Sequence, residues 1–377
     1  MSPPSTILID SGRYPRGNIM GDKARATNDH FVPQMYLRRW AVPRSGRGGH
    51  QLIAAPADNP RSEFPASTRN IGSEKGFYWG TTPEGVEHHH TEKFLSIIES
   101  EATTAFRALL DKDEGSPAAD ALPRPWPPRP AHRLAMSWWI AAQILRTPRQ
   151  RERLWNLDGS PLDPPRSIAS ANHHIRYIAE NVAPLAATIY RRAWGVGYST
   201  PCLLTSDAPV QIMNAQDDSD QLRAASYWDI YLPLDPHRYL LIPIQRPQAR
   251  DLTIDHKIDP NGAPITIPLN ETVMETAHRH IFWHPDHDPR PRLDLDQVLA
   301  IRQQRPAAGG SQSTFSYATL HPDAGIERRW LHRHVPDHAS SEHPGTERTT
   351  TDPTATAETM LNRLNTDIQR YRNTGRT

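Results

Sequence analysis

Five polar residues, scattered along the chain but each set in or beside an apolar segment, carry the chemistry open to this sequence: His30, Glu99, Gln143, Arg146 and Asp207. His30 stands just before the apolar run that begins at Phe31. A helix starting near Val32 would put it at a helix N-terminus, where the dipole favours neutral imidazole, the form that serves as base, ligand or polariser. The alternative is architectural: His30 closes a turn and Pro33 opens the helix. Glu99 lies at the flank of an apolar stripe containing Leu95, Ala102 and Phe106, and Glu92 shares its meridian. A partly buried glutamate has its ionised form disfavoured unless it meets an arginine or a metal. Two carboxylates on one edge suit a divalent cation, although a solvated helix edge has the same pattern.

Trp139, Gln143 and Arg146 recur at i, i+4 and i+7, and make one helix face. An arginine in so apolar a helix needs a partner: Glu99, Asp207, or the carboxylate or phosphate of a ligand. Asp207 follows Leu203-Leu204-Thr205-Ser206 and precedes Ala208-Pro209. That is the end of a short strand before a turn, where a rigid element can present a carboxylate and where Asx-turns also form. Ser206 lacks the GxSxG context of an elbow nucleophile. A histidine base, acidic residues as acid or cation ligand and an arginine anion clamp together suit hydrolysis of a phosphoester.

Other groups supply weaker signals. His88-His89-His90 with Glu92, and His284-x-x-His287 with Asp286 and Asp288, offer metal-ligand atoms, but without HExxH spacing. The cofactor is therefore left open, with a divalent metal the candidate. Cys202 is the one cysteine, which on this reading excludes a disulfide framework and any cysteine-based zinc or iron–sulfur site. Arg146, Arg149, Arg151 and Arg153, with Trp155 close by, form a strip that could contact phosphates and stack bases, or simply a solvated face. The global balance gives no help to the first reading. With 43 basic and 42 acidic residues the net charge is +1, too small to draw the protein onto nucleic acid or a membrane.

Three helices are expected to position these residues. The first runs from about Thr91, its candidate cap, to Lys112, with Phe94, Ile98, Ala102, Ala105, Phe106 and Leu109 as its stripe. The second spans about 130–146 and is apolar on two sides, which marks a central helix; Pro148 ends it or begins a break. The third covers about 165–194, with a kink at Pro184. Short β-prone segments follow at 203–205, 209–213, 230–233 and 239–244, the last two forming a hairpin around Asp235-Pro236-His237. Asn270 can cap a closing helix of 271–282. The fold class is α+β: a mainly helical N-terminal half (helical over 90–195) packed with a small, largely antiparallel sheet from a strand-rich region at 196–268.

Proline makes up 37 of the 377 residues, about twice ordinary usage, and only 37% of residues are apolar. Much of that excess falls outside the segments just described. Residues 1–27 read as a flexible leader, 123–130 as a linker, and 301–377 as a mostly disordered tail with a short amphipathic helix at 359–371. What is left is a single α+β domain over 28–300. No apolar run approaches the roughly 20 residues of a membrane span, nor the apolar stretch of a secretory signal. A cytoplasmic location without membrane contact is the expectation.

The segment Asp29-His30-Phe31-Val32-Pro33-Gln34-Met35-Tyr36-Leu37 carries an HxxPxxYL pattern. Asn70-Ile71, Phe77-Tyr78, the Glu99 helix, Gln143-x-x-Arg146-Thr147-Pro148, Thr205-Ser206-Asp207-x-Pro209 and Leu232-Pro233-Leu234 follow in order. This set resembles the domain of unknown function 4238 family of uncharacterised bacterial proteins. Met35 and Trp40 depart mildly from the aromatic and the phenylalanine expected there. The resemblance implies no activity. The residues themselves favour an intracellular hydrolase acting on a phosphoester, nucleotide or nucleic acid. A non-enzymatic binding or regulatory module built on the same polar network is the first alternative. A small-molecule tailoring enzyme with an arginine-bound carboxylate is the second.

Overall fold

The computed structural model describes residues 28–304 apart from 45–47, 82–86, 89, 112–125, 158–167, 213–228, 244–254 and 259–261. The leader at 1–27, residues 123–125 of the linker and the tail from 305, with its expected helix at 359–371, lie outside the described residues. Among those described, short strands precede the first long helix: β1 (Asn28–His30), β2 (Val42–Pro43), β3 (His50–Pro56), β4 (Phe64–Ser67), β5 (Ser73–Lys75), β6 (Gly80–Thr81) and β7 (Glu87–His88). A four-residue helix, α1 (Gln34–Leu37), lies between β1 and β2. Four helices follow: α2 (His90–Leu110), α3 (Pro130–Leu145), α4 (Pro148–Leu157) and α5 (Ile168–Arg191). Then come β8 (Gly195–Tyr198), β9 (Thr205–Ser206), β10 (Gln211–Ile212), β11 (Ile230–Pro233), β12 (Arg238–Ile242) and β13 (His256–Lys257). The helix α6 (Ala263–Thr276), strand β14 (His280–Trp283) and helix α7 (Leu295–Gln304) complete the order.

The fold is α+β, and its helices α2, α3 and α5 lie where apolar periodicity placed them. Helix α3 is buried on all sides from Ala135 to Leu145 because it packs between α2 and α5. Trp139 illustrates this: its ring meets Tyr36 of α1 at 5.4 Å and Phe106 of α2 at 5.1 Å. Pro148, lacking a backbone N–H, opens α4 after a two-residue interruption, and the Thr147 hydroxyl accepts from the Gln150 N–H. The α3 end that this break leaves is closed by His174, whose Nε2 donates to the Leu145 carbonyl at 2.8 Å. Helix α5 stays helical through Pro184. No helix among the described residues is long and apolar enough to cross a membrane.

The strands depart from expectation in two ways. Instead of one small sheet there are two five-stranded sheets, and one draws on the N-terminal segment before α2. In that sheet β3 pairs with β2, β4 and β14, and β14 pairs with β9. The other has the order β10-β11-β12-β8-β13, antiparallel except for β13 beside β8. The expected hairpin is β11–β12, with Leu232 opposite Leu240. Opposite Tyr239 stands Gly197, where any Cβ would collide with the tyrosine ring.

The closing helix is also corrected. It spans Ala263–Thr276, and the final third of the expected range is strand β14. Asn270 is no cap: its side chain accepts from the Leu204 N–H at 2.7 Å and donates to the Cys202 carbonyl at 2.9 Å. The chain turns at Ala277 (ψ 137°), and the aromatic, β-prone His280-Ile281-Phe282-Trp283 then finds partners on both sides. Buried apolar residues from Phe31 to Val298 form one contiguous cluster beneath both sheets and the helices.

Candidate functional site

Arg146 is the centre of the group that the sequence singled out. It is the residue that ends α3, and its side chain is 1% exposed. Its Nε donates to the Phe31 carbonyl at 2.8 Å and its Nη1 to Glu99 Oε1 at 2.7 Å. Gln143, one turn earlier, completes the set. With its amide oriented so that both atoms find partners, Nε2 donates to the Phe31 carbonyl (3.2 Å) and Oε1 accepts from Arg146 Nε (2.9 Å) and Nη2 (3.3 Å). Every nitrogen of the guanidinium is thus engaged inside the protein. Arg146 fixes Glu99 and the Phe31 backbone; it does not reach out as a clamp for a ligand.

His30 joins this group from β1. It is the last residue of a strand paired to β5, not the start of a helix, because α1 begins only at Gln34. Its Nε2 donates to the Thr68 carbonyl at 3.2 Å. Burial lowers its pKa, so the neutral ring expected there is favoured by desolvation, not by a helix dipole. Glu99 and Arg146 lie close enough to act on that ring with opposite sign.

Glu92, one face of α2 with Glu99, completes an acidic edge. Burial first, and then the Glu99 and Asp29 charges, push its carboxyl up to about 7, against the pull of Arg146. Asp29 itself is buried and accepts from the Tyr78 N–H at 3.0 Å. The Tyr78 hydroxyl, buried in the same field, has no hydrogen-bond partner among the described residues. The pair Glu92 and Glu99 therefore divides into a carboxyl that holds its proton near neutrality and a carboxylate fixed by Arg146. At 27% exposure the Glu99 side chain opens this edge to solvent.

The shift on Glu92 predicts a pH dependence of stability. Its folded-state pKa is raised above the unfolded value of 4.5, so the folded protein binds the proton more tightly. The stability is present below about 4.5 and is lost as pH rises toward 7. Glu92→Gln, which keeps the neutral shape, is expected to match wild type at pH 4.5 and to exceed it by about 1–3 kcal/mol at pH 8. Urea unfolding at the two pH values checks this, and an equal difference at both would refute it.

Asp207 is engaged elsewhere. Its Oδ1 accepts from the His278 N–H (2.8 Å), and its Oδ2 accepts from those of Arg279 (2.5 Å) and His280 (3.2 Å). The carboxylate thereby turns the chain from α6 into β14, and its described hydrogen bonds do not reach the Arg146 group. The link between the two is indirect: Arg279 pairs with Glu74 of β5 at 2.8 Å, and β5 pairs with the His30 strand. The family motif residue Tyr36 is likewise architectural, donating to the Pro233 carbonyl at 2.6 Å and accepting from Thr205 Oγ1 at 2.7 Å.

Two arginines of the strip, Arg146 and Arg151, are buried and not part of a basic surface. Arg151 is buried, donates to the Phe77 carbonyl and lies over the Phe77 ring at 3.9 Å; burial lowers its pKa to about 10. Arg149 donates to the Thr276 carbonyl at 3.2 Å. The Arg153 and Trp155 side chains lie outside the description.

The metal-ligand residues regroup in a way the sequence did not reveal. Asp288 is taken by Arg290, and His287 instead stands with Cys202 and His237, one donor atom of each lying within 4.8 Å of the others. From sequence, the single cysteine excludes a cysteine-based zinc site and His237 goes unweighed, because the donors that stand beside Cys202 lie 35 and 85 residues further along the chain. The signal available was the hairpin turn Asp235-Pro236-His237, which must present its side chains at a sheet end. The side chains of His88, His89 and His90 lie outside the description.

Fold and site together define an α+β protein with a carboxylate edge, held by a buried arginine where the first helix pair meets the N-terminal strands. Among proteins of that class, the chain belongs to the family described as "Protein of unknown function (DUF4238)", whose model matches residues 28–287. That span agrees with the resemblance drawn from the ordered motifs between His30 and Leu234. Comparison with curated proteins and with solved structures returns no match.

Proposed function

We propose that the protein is a cytoplasmic hydrolase working by acid–base catalysis at the edge formed by His30, Glu92 and Glu99, with Gln143 and Arg146 as positioning residues. The observation that carries the reading is Glu92, held at about 7 beside a carboxylate fixed by Arg146. A carboxyl held near neutrality can serve as the acid, and neutral His30 on the same edge as the base. The unpartnered Tyr78 hydroxyl adds a donor. A phosphoester stays the substrate class to test first, but the narrowing to nucleic acid loses its support, since Arg146 and Arg151 turn inward. Asp207 belongs to the scaffold in this reading.

The alternative, a binding or regulatory module in which the network is purely structural, is favoured by the saturated guanidinium of Arg146. One assay separates the two. The full-length protein, tested on chromogenic phosphomonoesters, phosphodiesters and carboxylic esters between pH 5 and 8, is expected to turn over one class. Glu92→Gln and His30→Ala are expected to lower that rate by about 10²–10⁴-fold while the protein stays folded. A folded wild-type protein without turnover on any of these classes overturns the hydrolase reading.

A further inference from the structure

Away from the acidic edge, three chain segments bring soft and borderline metal donors to one point. Cys202 lies in the loop between β8 and β9, His237 at the tip of the β11–β12 hairpin, and His287 in the turn after β14. We propose that Cys202 Sγ, His237 Nε2 and a ring nitrogen of His287 form a zinc-binding site.

The spacing fits the ion. In a tetrahedral site with ordinary zinc–sulfur and zinc–nitrogen bonds, sulfur and nitrogen ligands are about 3.6 Å apart. Cys202 Sγ and His237 Nε2 are 3.6 Å apart, and the His287 donor lies within 4.8 Å of both. The outer contacts fit as well. His237 Nδ1 is 2.9 Å from the Ser199 carbonyl, which can only accept, so the proton sits on Nδ1 and the Nε2 lone pair faces the thiol. A carbonyl partner of this kind is what orients a metal-binding imidazole. The His237 ring stacks on Tyr198 (5.5 Å, 18°), and His287 stacks on His284 (5.6 Å, 28°).

The backbone that presents the donors is tied down before any ion arrives. Asp235 Oδ1 accepts from the His237 and Arg238 N–H groups, so the hairpin tip is set. Leu203 N–H donates to the Pro236 carbonyl at 2.7 Å, which holds the Cys202 loop against that tip, and Asn270 grips the Cys202 carbonyl from α6. Asn270 thus finds a role in the site's support. His284 is a ring neighbour and not a fourth ligand, because its Nδ1 already accepts from the Asp286 N–H at 3.3 Å. A thiolate with two imidazoles suits zinc over magnesium or calcium, and three protein donors leave one tetrahedral position for water.

Zinc content of the full-length protein, purified without chelator and measured by atomic mass spectrometry, is expected to be about one per chain. After chelation, calorimetric titration with zinc alone should restore one site per chain. Cys202→Ser and the exposed His287→Ala should each weaken that binding by about 100-fold or more, beyond the usual loss from an outer-shell change. Titration with cobalt should give a thiolate charge-transfer band in wild type and none in Cys202→Ser. His287→Ala keeps the test decisive should Cys202→Ser fold poorly. Zinc bound equally well by both variants, zinc lost only when His88, His89 and His90 are changed to alanine, or no binding by the folded wild type at micromolar free zinc would each overturn the proposal.

Discussion

Replacing Arg146 by alanine is expected to lower the unfolding free energy by about 3–5 kcal/mol, the range for breaking a buried pair from one side. The guanidinium is fully enclosed, so its removal leaves a void as well as a lost charge. Two groups are orphaned at once, the Glu99 carboxylate and the Gln143 amide oxygen, while the Phe31 carbonyl loses one donor and keeps Gln143 Nε2. Of these Glu99 suffers least, because 27% exposure lets water reach it. Arg146→Lys keeps the charge but cannot serve three directions with one ammonium, so it should recover only part of the loss. Urea denaturation measures both, and an Arg146→Ala penalty under about 1 kcal/mol would contradict a desolvated, saturated guanidinium. In activity assays the same variant should act through Glu99: the pH profile of the rate is expected to shift, since the Glu92 carboxyl loses the nearby positive charge that opposes its upward shift.

The second large effect is on Asp207→Ala, with an expected cost of about 3–5 kcal/mol. Each of its three backbone donors forms a charge-assisted bond worth about 1.5–3 kcal/mol, and bonds sharing one carboxylate are not additive. The damage should spread, because those N–H groups belong to the turn that launches β14 between β3 and β9. Asp207→Asn can turn its oxygen to the Arg279 and His280 N–H groups but then sets an NH2 donor against the His278 N–H and loses the charge, so it should rescue only part of the loss. A catalytic aspartate would behave oppositely, with stability preserved and rate lost. Hydrogen exchange at Ile281 and Phe282 gives a local readout: both amides should lose protection in Asp207→Ala while α3 keeps its own.

The long helices were legible because their signal is local. The stripe from Phe94 to Leu109 and the two-sided apolarity of 130–146 need only the helical period, and Pro148 marks its own break. Of the strands, β9 to β12 were legible within a residue or two as short β-prone segments, whereas β3, β4 and β14 were not, because their pairing is set by residues far away. Asn270 misled for a related reason: its side chain has the chemistry of a cap, and only the neighbouring Cys202–Leu204 loop shows where it is spent. The Glu99–Arg146 pair was among the partners the apolar helix required, whereas Glu92 was visible only as a neighbour on the same meridian. Its elevated pKa comes from burial in the folded chain and from the charges of Glu99 and of Asp29, which no spacing rule connects to it.

By itself, then, the sequence determined the three long helices, the α+β class and the demand that Arg146 find an anion, which follow from periodicity and from the cost of burying a lone charge; the family came from the resemblance of its ordered motifs. The tertiary structure decided which anion that was, set the Asp207 carboxylate on three backbone N–H groups, and buried Arg146 and Arg151 of the arginine strip. It also gathered Cys202, His237 and His287 from three loops into one donor set. Local pattern reports which face of an element is apolar. Which polar groups then meet is a matter of long-range closure, settled only when the sheets and helices share a single core.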